Sequence, residues 1–271
     1  MIPKKIHFCW LSGDEYPPLI EKCLETWQRV LPDYEIILWD TKRFDINSVD
    51  WVRGAFEAKK YAFAADYIRF YALYTEGGIY LDSDVEVLKS FDPLLDAKSF
   101  MGYEAATRLF EPAIVGAEAN TEWCGKMLDF YKDRQFVCDV LSKVVIAPRA
   151  VERVFNDLYS DLPKAMPTTK VTIGGGELVL YPAEYFSPIK YDLDKSYNEV
   201  KKINQALYKN PNTYCIHRFN GSWTEGGPPR WMQIVDMVKK WLYGIFGKRR
   251  VETTLNLLRA MMGKSKMRIR E

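Results

Sequence analysis

Histidine is nearly absent from this chain of 271 residues, which contains only His7 and His217. Metal-dependent hydrolases that use paired aspartates draw on several imidazoles, so this scarcity argues against that class. Cysteine is also sparse. The five present (Cys9, Cys23, Cys124, Cys138, Cys215) are odd in number and include no CxxC pair. That pattern argues against a disulfide framework or a zinc site and fits reduced thiols in a cytosolic protein. No uninterrupted apolar run is long enough to span a bilayer. At the N-terminus, Lys4 and Lys5 precede only the short apolar stretch 6–11, too brief for a secretory signal. Internal repeats and low-complexity segments are lacking. No excess of one charge sign exists over the whole chain, with 38 Lys/Arg against 36 Asp/Glu, and a nucleic-acid partner is not expected.

What is present is a substantial core. The chain is 48% apolar, with 8 Trp, 17 Tyr and 14 Phe. One large domain, or one domain with an appendage, is expected at this length. The charge is polarised along the chain. From Lys239 onward there are ten Lys/Arg and two acids, which gives that tail +8 and leaves −6 for residues 1–238. The asymmetry suggests a basic appendage on a mildly acidic body.

The most informative stretch is Gly77-Gly78-Ile79-Tyr80-Leu81-Asp82-Ser83-Asp84-Val85. An apolar run ends in two carboxylates separated by one residue. In an extended chain, residues two apart point to the same side, so Asp82 and Asp84 can converge on one point. Two anionic oxygen groups suit Mn²⁺ or Mg²⁺, which typically carries substrate phosphates in its remaining positions. A solvated acidic turn after a strand is the competing reading of the triplet alone.

Residues 5–10 read as a first strand, 19–30 as a helix and 34–39 as a second strand. That order implies a parallel α/β sheet with ligands at the strands' carboxyl ends, where Trp10, Asp40, Asp82 and Asp84 would lie. Residues 58–75 read as a strong helix ended by Gly77-Gly78. Inside it, Asp66 and Arg69 stand three apart on one face. Among apolar neighbours such a pair is either a structural clamp or a ligand-binding pair, and both stay open here. Further elements are expected at 113–117 (strand), 122–131 (helix), 172–181 (a Gly-rich turn into a strand, not a phosphate loop) and 214–217 (strand). Gly226-Gly227-Pro228-Pro229 marks a boundary. Beyond it, two helical patterns run through Trp231, Ile234, Val238, Trp241 and Ile245, then Val251, Leu255, Leu258 and Met262.

Four segments together resemble the DxD-motif sugar-nucleotide glycosyltransferases, particularly capsular polysaccharide transferases and yeast initiating mannosyltransferases (family 32-like). More distantly they resemble the catalytic domains of clostridial glucosylating toxins. The segments are Ile2-Pro3-Lys4-Lys5-Ile6-His7-Phe8-Cys9-Trp10, Pro32-Asp33-Tyr34-Glu35 with Leu38-Trp39-Asp40, the stretch from Ala64 through Val85, and His217 with Ser222-Trp223. The resemblance is strong over 1–95 and 214–223 and weak between.

The resemblance implies a GT-A fold, a Rossmann-like mixed sheet flanked by helices, to which the helical patterns beyond residue 229 add a C-terminal appendage. The catalytic domain would cover 1–228, with donor binding in 1–95 and the acceptor side in 96–228, and the basic amphipathic tail would be 229–271. It also implies roles. Trp10 would stack on the nucleobase. Asp66 and Arg69 would hold the donor sugar and diphosphate side, and Tyr80 would line the nucleotide pocket. Asp82 would reach the metal through water, Asp84 would ligate it directly, and His217 would be a further metal or phosphate ligand. Ser222 and Trp223 would close over the β-phosphate. Glu111, Asp129 and Glu177 lack a motif and stay as structural or acceptor-side residues.

The expected activity is retaining transfer of a hexose from a nucleoside diphosphate sugar, UDP-hexose above GDP-hexose, with Mn²⁺ or Mg²⁺. The acceptor would be a glycan or lipid-linked oligosaccharide in surface polysaccharide synthesis. The tail would dock the enzyme on the anionic inner face of the cell membrane. Two alternatives are a toxin-like transferase acting on a protein hydroxyl and a catalytically inactive, membrane-anchored sugar-nucleotide-binding protein. The lack of translocation segments argues against the first. The intact Asp66, Arg69, Asp82 and Asp84 argue against the second.

Overall fold

Two prolines start the first helix and two glycines end the central one, and three parallel strands lie before, between and after these two points. The computed structural model describes residues 1–136, 146–189 and 206–219. The strand β1 (Lys5–Cys9) leads into helix α1 (Pro18–Val30), then β2 (Glu35–Trp39). Pro18 sits in the first turn of α1, where its missing N–H costs nothing. Two helices follow, α2 (Asp50–Glu57) and α3 (Tyr61–Glu76), then β3 (Gly78–Leu81).

The single helix expected over 58–75 is therefore preceded by a separate one. Lys59 adopts a left-handed conformation (φ 55°) and breaks the chain between them. The sequence reading missed α2, which buries only Trp51, Val52 and Ala55 along eight residues.

Helix α3 is apolar nearly all round and buries ten of its residues, Asp66 and Arg69 among them. A helix of that composition belongs inside the molecule. Glycine is required at its end. Gly78 has φ +118°, and a Cβ there would lie 2.8 Å from the Lys5 carbonyl oxygen and 3.0 Å from His7 Nε2.

Beyond β3 come β4 (Val85–Val87), β5 (Ser99–Tyr103), β6 (Phe110–Ala117), helix α4 (Glu122–Lys132) and helix α5 (Ala147–Leu158). Then follow β7 (Val171–Ile173), β8 (Leu178–Tyr181), a short helix α6 (Ala206–Lys209) and β9 (Cys215–His217). Among the described residues, seven strands form one sheet in the order β2-β1-β3-β6-β5-β8-β7, while β4 and β9 form a separate ribbon.

The sheet is mixed, not purely parallel. β1 pairs in parallel with β2 and β3, but β6 runs antiparallel to β3. The residue pattern alone pointed to a parallel sheet, and the resemblance to a mixed one. The Rossmann-like mixed sheet flanked by helices is what the chain adopts. The Gly-rich stretch is the turn of the antiparallel hairpin β7–β8.

Strand alternation divides the core. Tyr80, Met101 and Val115 face helices α2–α5, while Ile6, Ile79, Leu81 and Ile114 face α1 and the β4–β9 ribbon. The chain leaves β1 for β2 on one side and returns to β3 on the other, so the strand order reverses at β1. Ligand crevices in such sheets open at the carboxyl ends beside that reversal.

Cys9, Cys23, Cys124 and Cys215 are free thiols. Among the described residues no helix is long and apolar enough to cross a membrane. Cys138, Ser222, Trp223, the Gly226–Pro229 boundary and the 229–271 tail lie outside the described residues.

Candidate active site

The site grows from the end of β3. Leu81 is its last paired residue, and Asp82, Ser83 and Asp84 form a tight turn closed by Val85 N–H donating to Asp82 O (3.0 Å). Convergence of the two carboxylates thus comes from a turn, not from the extended chain that the spacing suggested.

The turn's far end is anchored from two sides. Trp27 Nε1–H on α1 donates to Val85 O at 2.7 Å, and Val87 N–H donates to Thr26 Oγ1 at 2.9 Å. On the other side β9 pairs antiparallel with β4, placing His217 opposite Val85. His217 Nε2 consequently lies 3.3 Å from Asp84 Oδ1. One potential ligand atom from each of Asp82, Asp84 and His217 falls within 4.8 Å of the other two.

A second group backs Asp82. Arg69 is buried in α3, with Nη2 3.0 Å from Asp66 Oδ1 and 3.4 Å from Asp82 Oδ1. Its Nη1 donates to Pro112 O at 2.9 Å. The guanidinium lies over the Tyr80 ring, 4.9 Å from the centroid, and Tyr80 O–H donates to Asp82 Oδ1 at 3.1 Å. Tyr80 is buried, so its place is beneath Asp82. The three-residue spacing of Asp66 and Arg69 thus makes a real ion pair, and tertiary structure adds Asp82 as its third member.

Glu111 is the residue that sequence reading left without a role. It is buried at the start of β6, and its Oε2 lies 3.2 Å from His217 Nδ1. β6 reaches this point through a bulge. Gly102 pairs with Glu111 and Met101 with Val115, which leaves 112–114 out of register with β5. Bulges beside sites re-aim side chains in this way. No local motif announces such a residue. Asp129 lies exposed on α4, and Glu177 lies on the hairpin before β8.

Trp10 follows β1 at the same edge. It is half-buried, donates Nε1–H to Asp14 O at 2.8 Å, and meets Tyr16 edge-on at 4.9 Å. Asp40, at the end of β2, accepts from the N–H groups of Lys42 and Arg43. His7 is structural. Trp39 Nε1–H donates to its Nδ1 (3.0 Å), which leaves Nε2–H to donate to Gly77 O (2.8 Å).

The electrostatics suit a cation. Burial pushes the Asp66 carboxyl up to about 7, against the pull of Arg69 and aided by Asp82. Burial likewise raises Asp82, again opposed by Arg69. Burial disfavours charge on His217, but Asp84 and Glu111 outweigh it and hold the imidazole well above its usual pKa. Glu111 is lowered; burial opposes this, and the contacts with His217 prevail. Among the described residues, Arg69 pairs with Asp66 and Asp82, and His217 with Asp84 and Glu111. A mixed carboxylate–imidazole donor set fits a divalent ion, Mn²⁺ better than Mg²⁺ because of the imidazole.

Residues 17–101 match the family model described as "Glycosyltransferase sugar-binding region containing DXD motif". This segment is a DXD-type glycosyltransferase sugar-binding region. It holds Asp66, Arg69, Tyr80, Asp82 and Asp84, whereas Trp10, Glu111 and His217 lie outside the matched span. The chain is similar to inositol phosphoceramide mannosyltransferase 3 of Schizosaccharomyces pombe, 35% identical over 101 residues that cover 35% of this chain and 27% of that one. It is also similar to the mannosyl phosphorylinositol ceramide synthase SUR1 of Saccharomyces cerevisiae, 33% identical over 108 residues that cover 37% and 27% respectively. The aligned part spans only 27% of the length of each of these relatives. Among solved structures, the PaToxG glycosyltransferase aligns over 58% of this chain and 70% of its own, with 19% identity and a TM-score of 0.45.

Proposed function

We propose that this glycosyltransferase is divalent-metal-dependent and transfers a hexose from a nucleoside diphosphate sugar to a glycan or lipid-linked acceptor with retention of configuration. One observation carries the reading. Asp82 and Asp84, from the DXD segment, and His217, from a distant strand, converge on one point at the carboxyl edge of the sheet.

Asp84 and His217 are the residues that would hold the ion, with Asp82 beside them. A bound Mn²⁺ supplies charge neutralisation and Lewis-acid polarisation to the diphosphate leaving group. The chain's own residues do the rest. Arg69, fixed by Asp66 and Pro112 O, lies 3.4 Å from Asp82 Oδ1 and helps hold that carboxylate in place. Tyr80 O–H makes the second contact to the same oxygen. Trp10 sits on the rim where a base would stack.

The relatives' names specify mannosyl transfer to a phosphoinositol ceramide, which supports a hexose donor and keeps a lipid acceptor within the proposal. The donor base is proposed as uridine on the family resemblance.

The test is a donor screen on the full chain with MnCl₂, reading release of free nucleoside diphosphate across UDP- and GDP-hexoses. One donor should turn over with Mn²⁺ and fall silent with EDTA. Turnover that EDTA leaves intact would overturn the metal dependence. An inverted anomeric centre in the product, read by NMR, would overturn retention.

A further inference from the structure

His217 meets a carboxylate at each ring nitrogen. Nε2 faces Asp84 Oδ1 at 3.3 Å, on the side of the aspartate cluster, and Nδ1 faces Glu111 Oε2 at 3.2 Å, away from it. Phe219 stacks on the imidazole with ring centroids 3.9 Å apart and planes 30° apart, which limits rotation of the ring. Glu111 is itself held, since its Oε1 accepts from Ala113 N–H at 3.3 Å and it is buried at the β6 bulge.

A carboxylate is acceptor-only when ionised, so the Nδ1 facing Glu111 must carry the proton. Nε2 faces Asp84 in the same way, so without an ion the ring carries both protons; an ion held at Asp82 and Asp84 would take the place of the Nε2 proton, while Glu111 keeps the one on Nδ1. We propose that Glu111 is the positioning residue of this site, fixing His217 in the Nδ1–H tautomer so that Nε2 is the ligating atom. The proposal rests on the metal-dependent reading above. Ligating histidines commonly donate their second N–H to a carboxylate, and loss of such a partner weakens metal binding roughly 10- to 100-fold. Glu111 acts through His217 and touches neither the ion nor the sugar.

The first measurement needs no variant. The chain has two histidines, and the Trp39 contact makes His7 the Nε2–H tautomer, opposite to the form proposed for His217, so each serves as the other's control. Long-range ¹⁵N–¹H NMR on the full chain loaded with diamagnetic Zn²⁺ should show Nε2–H for His7 and Nδ1–H, with Nε2 ligated, for His217. An Nε2–H His217 in the Zn²⁺ form would overturn the proposal.

The second measurement is Mn²⁺ affinity by calorimetry on metal-depleted protein without donor. Glu111→Gln should weaken Mn²⁺ roughly 10- to 100-fold. In a His217→Ala background it should cause no further loss, because its effect runs through the missing ring. A purely structural Glu111 would lower the melting temperature and leave Mn²⁺ affinity in the folded variant unchanged. That result, with Asp84→Ala still losing the ion, would overturn the positioning role and leave the metal reading standing. Wild-type protein that binds neither Mn²⁺ nor Zn²⁺ would overturn both.

Discussion

His217 lies against Asp84 because Val85, the residue after Asp84, pairs with His217 across the β4–β9 ribbon. The Asp82–Asp84 turn and the imidazole beside it are therefore held by the same backbone ladder. Asp84 is set by the ribbon on one side and by the α1 anchors, Trp27 and Thr26, on the other.

Asp84→Ala should remove Mn²⁺ binding and donor turnover while the protein stays folded. The residue sits in a turn at the sheet's edge and carries no part of the apolar core. Calorimetric Mn²⁺ titration and a thermal melt check both halves. Wild-type-like turnover in the variant would end the assignment.

Asp66→Asn keeps the size of the side chain and removes its charge. Arg69 then loses one of its two carboxylate partners, and Asp82 is held less firmly. Turnover should fall about a hundredfold or more, equal to roughly 2.7 kcal/mol of transition-state stabilisation. A lower melting temperature with unaltered kinetics at 25 °C would show the pair to be a clamp of helix α3 alone.

His7 ties stability to pH. Burial lowers its pKa below the ordinary 6.5, although the Gly77 carbonyl opposes this. The unfolded chain thus binds this proton more readily than the folded one, and the native state loses stability as pH falls below about 6.5. His7→Gln should be the less stable protein at pH 7.5, by about 1–3 kcal/mol, because buried partners lose a hydrogen bond. The gap to wild type should narrow by pH 5.5 in urea unfolding. A gap that stays constant on acidification would exclude His7 as its source.

The +8 tail should bring the protein to anionic surfaces. Basic residues near an anionic leaflet contribute about 1 kcal/mol each, so even half of this excess supports reversible docking. The full chain should co-sediment with vesicles containing anionic lipid and less so with neutral ones. A chain ending at Lys248 should bind more weakly. Equal partitioning of the two would remove residues 249–271 from the explanation.

The residues between Asp66 and Asp84 made much of the candidate site legible by themselves. Three-residue spacing on an apolar helix set the Asp66–Arg69 pair, Gly77-Gly78 ended that helix, and an apolar run placed Asp82 at a strand's end. All of these are local effects of period and backbone freedom, and sequence records them directly. Helix α5 was legible too, since Ala147, Ala150, Val151, Val154 and Phe155 follow helical spacing, but the sequence reading passed over it. Helix α2 carries a comparable stripe in Trp51, Val52 and Ala55, but it is only eight residues long and the sequence reading passed over it as well. The mixed sheet was legible only through the family resemblance, since the residue pattern pointed to a parallel one; only the tertiary structure decided that Asp82 and Asp84 meet through a turn, that Arg69 reaches Asp82, and that Glu111 stands behind His217. Glu111 and His217 are 106 residues apart. Their contact depends on a β-bulge and on ribbon pairing, which arise from long-range strand register and leave no periodic trace in the chain.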